Sequence, residues 1–200
     1  MRIRDIMSSP VVSVTSETTV KEAARLLVDR GFNALPVVDG GRLVGIVTEA
    51  DLVPLESRPD PRSHMLPPRG DFGEVPHAVA QVMTAKVITL PAEEDAARAA
   101  HLMLQRSLRS IPVTDGDQVV GMVTRRDLLR VLARRDDAIR DELLKLLADE
   151  LPDACVGVTV VDGIVTLAFR SWLGPRDRRI AELLAGTVPG VLSVRPPLAR

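Results

Sequence analysis

The chain has 200 residues, 46% hydrophobic and 26% charged, with a net charge of -1. That balance excludes a disordered chain and offers no bulk attraction to nucleic acid or anionic lipid. Aromatic residues make up 2% and Tyr is absent, which excludes a nucleic-acid strand binder that stacks bases on aromatic platforms.

Met1-Arg2-Ile3-Arg4-Asp5 leads into no long apolar run, and no stretch approaches the length of a membrane span. The expectation is a soluble cytoplasmic protein. Val11-Val12-Ser13-Val14 reads as a short strand. Thr19 caps a helix, and Glu22 three residues later completes a capping box. Val20, Ala23, Ala24 and Leu27 recur at helical spacing and mark one buried face, and Gly31 is placed to end the helix. Leu35-Pro36-Val37-Val38 and Leu43-Val44-Gly45-Ile46-Val47 flank Asp39-Gly40-Gly41, a hairpin signal. Thr48-Glu49-Ala50-Asp51-Leu52 opens a last helix, giving the order β-α-β-β-α.

From 54 to 79, Pro54, Pro59, Pro61, Pro67, Pro68 and Pro76 exclude a helix or a central strand. This connector reads as a spacer in preference to a lid over a cleft. Beyond it the first pattern returns. Shifted by 76 positions, residues 7–52 give 17 identical pairs in 46 without a gap. Met7 meets Met83, Pro36 meets Pro112, Gly45 meets Gly121, Thr48 meets Thr124 and Asp51 meets Asp127. Chance does not produce this, so the two segments share one fold. Residues 1–53 and 80–133 are the two copies, packed sheet against sheet as a pseudo-symmetric pair with clefts between them.

After Leu129 the period is lost. Arg134-Arg135-Asp136-Asp137 reads as a hinge or a solvated turn of helix. Ile139, Leu143, Leu146 and Leu147 form a helical stripe. Cys155 is the one cysteine, which excludes an internal disulfide and a thiolate zinc site. Its apolar flanks point to a buried thiol. Val156, Val158 and Val160 alternate into the turn Asp162-Gly163, and Val165, Leu167 and Phe169 return. Trp172 reads as a partly buried packing residue in preference to a membrane or partner anchor. Pro175 starts a helix with Ile180, Leu183 and Leu184 on its buried face. Val191-Leu192-Ser193-Val194 closes an α-β-β-α-β segment over 134–200. The fold class is therefore mixed, α+β or α/β.

Nothing in the chain assembles a catalytic site. His64, His77 and His101 have no ligand spacing with one another, and there is no Walker-type loop and no nucleophile elbow. The expectation is a protein that is not an enzyme.

Pro36-Val37-Val38-Asp39-Gly40-Gly41 followed by Gly45-Ile46-Val47-Thr48-Glu49-Ala50-Asp51 resembles the CBS domain, and residues 112–127 repeat the match. Such domains occur in pairs, as Bateman modules. Asp162-Gly163-Ile164-Val165-Thr166-Leu167 and Val188-Pro189-Gly190-Val191-Leu192-Ser193-Val194 resemble the BON domain, although Phe169 stands where that family carries a glycine.

The first resemblance implies a regulatory, ligand-sensing homodimer that associates through its CBS units. Its clefts would bind an adenosyl ligand such as AMP, ADP, ATP or S-adenosylmethionine, with no obligatory cofactor. Thr48, Asp51, Thr124 and Asp127 would meet ribose and phosphate, since a carboxylate accepts two hydroxyls and a helix start faces an anion. Asn33, Ala34, Leu35 and Pro36, with Arg109, Ser110, Ile111 and Pro112, would meet the adenine edge. The Thr-x-x-Asp pattern equally fits a helix cap. Glu93-Glu94-Asp95 replaces Glu17-Thr18-Thr19 in copy two, and three acids repel a phosphate, so the two sites should differ in affinity. The BON resemblance implies contact with a phospholipid surface or with an unidentified protein partner. Residues 134–200 carry 10 basic and 10 acidic groups, so bulk charge would not drive them to lipid. The competing expectation is a scaffold or stress-associated interaction protein whose clefts bind nothing strongly.

Overall fold

A computed structural model describes residues 1–53, 76–152 and 155–195. The connector from 54 to 75 and the Cys155 side chain lie outside the described residues. The chain divides into two units, Arg2–Glu94 with Arg98–Thr124, and Arg125–Arg200 with Met1 and Asp95–Ala97.

In the first unit, α1 (Val20–Arg30) begins where the Thr19 hydroxyl accepts the Glu22 N–H at 3.1 Å. It ends at Gly31, whose φ of 63° suits glycine. Ala23 and Leu27 are its buried residues. The hairpin of β1 (Ala34–Asp39) and β2 (Arg42–Thr48) turns through Gly40 and Gly41, both at positive φ. Copy two answers with β3 (Leu90–Pro91), α3 (Ala96–Gln105), β4 (Ser110–Asp115) and β5 (Gln118–Thr124). The likeness extends to detail. β2 and β5 bury the same positions in the same order, and both hairpins carry a register shift after the valine opposite glycine, at Val37 and Val113. Asp39 accepts the Ser16 N–H at 3.1 Å, and the Ser16 side chain and N–H together hold its carboxyl below the usual range.

The strand expected over Val11–Val14 reduces to one bridge. Val14 pairs with Val37 in parallel, and its equivalent Leu90 pairs with Val113 in the two-residue β3. Val11 and Val12 stay half-buried outside any ladder, and Val12 packs against the core of copy one, so the apolar run there reflects packing rather than pairing.

The copies exchange their leading segments. Ser8 pairs with Met122 of copy two, and its equivalent Thr84 pairs with Ile46 of copy one. Ile3 donates its N–H to Glu94, and its equivalent Val79 donates to Thr18, each at 2.9 Å. Val79 is fully buried in the core of copy one, beside Val14, Ala23, Leu27, Leu35, Val37 and Val47. This exchange explains two repeated residues. A Cβ at Gly45 would meet the Met83 sulfur at 2.5 Å, and one at Gly121 would collide with the Met7 sulfur. Each glycine makes room for the other copy's methionine.

The second unit contains α4 (Arg125–Leu132), α5 (Asp136–Glu150), β6 (Cys155–Val161), β7 (Ile164–Phe169), α6 (Pro175–Thr187) and β8 (Ser193–Arg195). β7 lies between antiparallel β6 and parallel β8. Ile139, Leu143 and Leu147 of α5 pack with Val158, Val165 and Leu167 of the sheet. From α6 it is Ala181 and Ala185 that are fully buried, while Leu183 is 62% exposed. The expected face of Ile180, Leu183 and Leu184 is therefore rotated. Two alanines let the helix backbone approach closely, where leucines would hold it off. The charge cluster is likewise structural. Asp136 opens α5 and receives the N–H groups of Asp162 and Gly163 at 2.7 and 2.9 Å, pinning the hairpin turn. Arg134 donates to the Pro189 carbonyl at 2.8 Å. Trp172 is 65% exposed, which overturns the packing role. Among the described residues no helix is long and apolar enough to cross a membrane.

Candidate functional site

Within the first unit a cavity of about 690 Å³ opens between the two copies. The residue before β1, Asn33, and its equivalent before β4, Arg109, both line it. So do Ser110 and Pro112, whose period-two spacing on β4 puts them on one face. Ile111 between them turns into the core and is fully buried, as are Val113 and Leu35. Ala34, Leu35 and Pro36 are also buried, off the cavity lining. Of the residues expected at an adenine edge, Asn33, Arg109, Ser110 and Pro112 reach this cavity.

Thr48 and Asp51 stand on its wall, at the junction of β2 with α2 (Glu49–Leu52). The Thr48 N–H and hydroxyl both donate to one Asp51 oxygen, Oδ2, at 2.8 and 2.7 Å. Asp51 is thus a cap and a cavity residue together. Among the described residues no hydrogen bond falls on its second oxygen, Oδ1. The Glu49 N–H donates to the Asn33 carbonyl at 3.2 Å, which ties the start of α2 to the start of β1.

Thr84, Lys86, Val87 and Ile88 complete the wall. They arrive through the exchanged segment, where Thr84 bridges Ile46. Sequence reasoning missed them, because this pairing joins positions 38 residues apart with no local signature. Ile88 is 37% exposed and gives this wall an apolar surface. Arg109 faces Glu49 across the cavity at 3.7 Å. A cavity of this size, mostly apolar with a few polar groups converging, fits a small organic ligand.

Thr124 and Asp127 lie elsewhere: Thr124 ends β5, and Asp127 sits in the first turn of α4, 4% exposed. Arg130 donates to Asp127 Oδ1 at 2.9 Å. The equivalent of Arg130 in copy one is Pro54, so that position carries no cation. The acidic run of copy two is partly neutralised as well, since Arg2 and Arg4 both pair with Glu93. Among the described residues no group of three His, Cys, Asp or Glu side chains forms a metal site.

The CBS domain family model matches residues 3–56 and 79–134. The uncharacterized protein MJ1225 of Methanocaldococcus jannaschii is 31% identical over 133 residues, 66% of this chain, and the chain spans about half (47%) of that curated relative. The CBS domain pair of protein MJ0100, solved in complex with 5′-methylthioadenosine and S-adenosyl-L-methionine, is similar over 66% of this chain and 96% of its own, at 29% identity and a TM-score of 0.55. CBSX2, solved in complex with AMP, is similar over 64% of this chain and 93% of its own, at 25% identity and a TM-score of 0.53.

Proposed function

The chain belongs to the CBS domain family, and on that premise we propose that its paired copies form a cytoplasmic, non-enzymatic sensing module that binds an adenosine-containing ligand. The observation that carries this is the cavity between the copies, where Thr48 and Asp51 of one face the start of β4 of the other. A ribose diol would donate to Asp51 Oδ1, a charge-assisted bond. An adenine ring would lie against Ile88 and take hydrogen bonds near Asn33 and Ser110. The adenosyl ligands held by the pairs of MJ0100 and CBSX2 support the same chemistry. A thermal-shift screen against AMP, ADP, ATP, S-adenosylmethionine and NADH tests it. Ligand at 100 times its dissociation constant adds roughly 2.7 kcal/mol of stability. A flat response to all five would move the protein to the scaffold reading.

The module is further proposed to act as a homodimer through its CBS units, with the C-terminal unit a BON-like domain that docks on a membrane or protein partner. Exposed apolar residues of the first unit recur with the 76-residue offset, Val28 at 80% with Leu104 at 75%. Such residues, repeated on both copies, suit a self-complementary face. In the C-terminal unit the α-β-β-α-β order and exposed Trp172 support docking. Sedimentation tests both parts: a dimer alone and co-sedimentation with anionic vesicles are expected, while a monomer or protein left in the supernatant would remove the corresponding part.

A further inference from the structure

Four charged side chains line the cavity: Glu49, Asp51, Lys86 and Arg109. They are not equivalent. Asp51 turns Oδ2 to Thr48 and keeps Oδ1 for the ribose. Glu49 and Arg109 face each other at 3.7 Å, 52% and 73% exposed. Lys86 has no ion pair or hydrogen bond among the described residues. The two cations and two acids of the lining balance in number, but among the described residues Lys86 is the one of the four with no partner. At the position equivalent to Lys86, copy one has Pro10, so the repeat does not require a charge there.

We propose that Lys86 and Arg109 form a charge-selecting edge of this site, which favours phosphorylated adenosines over neutral ones, with Glu49 the internal competitor that moderates the preference. This rests on the adenosine reading above. A nucleoside monophosphate brings about two negative charges, which an ammonium and a guanidinium meet with charge-assisted hydrogen bonds. Binding draws Arg109 from Glu49 toward the phosphate, and that exchange costs little because an exposed ion pair at such a distance is weak. The preference falls as salt rises, since these groups are solvent-exposed.

The test is calorimetric titration of the full chain with AMP and with adenosine, read as the ratio of their affinities. AMP is expected to bind about tenfold tighter. Lys86→Ala should cut the ratio roughly three- to tenfold, and Lys86→Arg should restore it. Glu49→Gln should raise the ratio about two- to fivefold by releasing Arg109. Equal affinity for AMP and adenosine, or a ratio unmoved by both Lys86→Ala and Glu49→Gln, overturns the charge-selecting edge and leaves the adenosine reading standing. Binding of neither ligand overturns both.

Discussion

Asp51→Ala is expected to weaken AMP binding on the order of 100-fold, while Asp127→Ala weakens it far less. The asymmetry comes from the carboxylate oxygens. Asp51 spends Oδ2 on Thr48 and keeps Oδ1 for a ligand. Asp127 is 4% exposed, and its Oδ1 already receives Arg130. Losing two ribose bonds to a charged acceptor costs about 3 kcal/mol. The same substitution removes a helix cap, worth about 1 kcal/mol of stability, so the affinity must be measured below the lowered melting temperature. Asp51→Asn keeps a cap acceptor but loses the charge, and it should fall between wild type and Asp51→Ala. Isothermal titration with AMP checks all three. Equal losses at Asp51 and Asp127 would contradict the asymmetry, and an unchanged affinity in Asp51→Ala would reduce that residue to a cap.

Gly190→Ala should destabilise the C-terminal unit by about 3 kcal/mol. The backbone there has φ +93°, a conformation costly for any residue with a Cβ. The added carbon would stand 2.8 Å from Ile139 Cδ1 and 3.1 Å from the Val131 carbonyl oxygen. Ile139 is fully buried in the core of α5 and has no space to retreat, so overpacking adds to the backbone strain. Gly40→Ala is the control. It too sits at positive φ, but nothing lies within 4 Å of its added Cβ, so only the backbone cost of roughly 1 kcal/mol applies. Urea unfolding followed by Trp172 fluorescence reads the unit that carries Gly190, and far-ultraviolet circular dichroism reads the whole chain, including the unit that carries Gly40. A midpoint no lower than that of wild type would show that the Pro189-Gly190 turn is free to rearrange.

The repeat was legible because its signals are local. Glycines at positive φ, an Asp-Gly turn and apolar residues at fixed spacing announce a helix and a hairpin wherever they occur. The identical pairs Met7/Met83 and Gly45/Gly121 were visible too, but not their cause. Each methionine lies over the other copy's glycine, a contact between segments distant in sequence that no local pattern encodes. Thr48 and Asp51 could be named through the CBS resemblance, since their spacing alone fits a helix cap equally well, whereas Lys86 and Ile88, delivered by the exchanged segment, could not. The misread face of α6 has a different origin. Hydrophobicity favours Leu183, but close packing of helix on sheet favours the smaller Ala181 and Ala185. Val11-Val12-Ser13-Val14 has the β-branched composition of a strand, yet of these four only Val14 finds a backbone partner across a bridge.

The central claim is that the cavity between the copies is an adenosine site. Backbone amide NMR of the full chain titrated with AMP tests it most directly. The account predicts saturable shifts concentrated at Thr48, Asp51, Ile88, Arg109 and Ser110. Saturation with those amides unmoved, or no shifts at millimolar AMP, would contradict it.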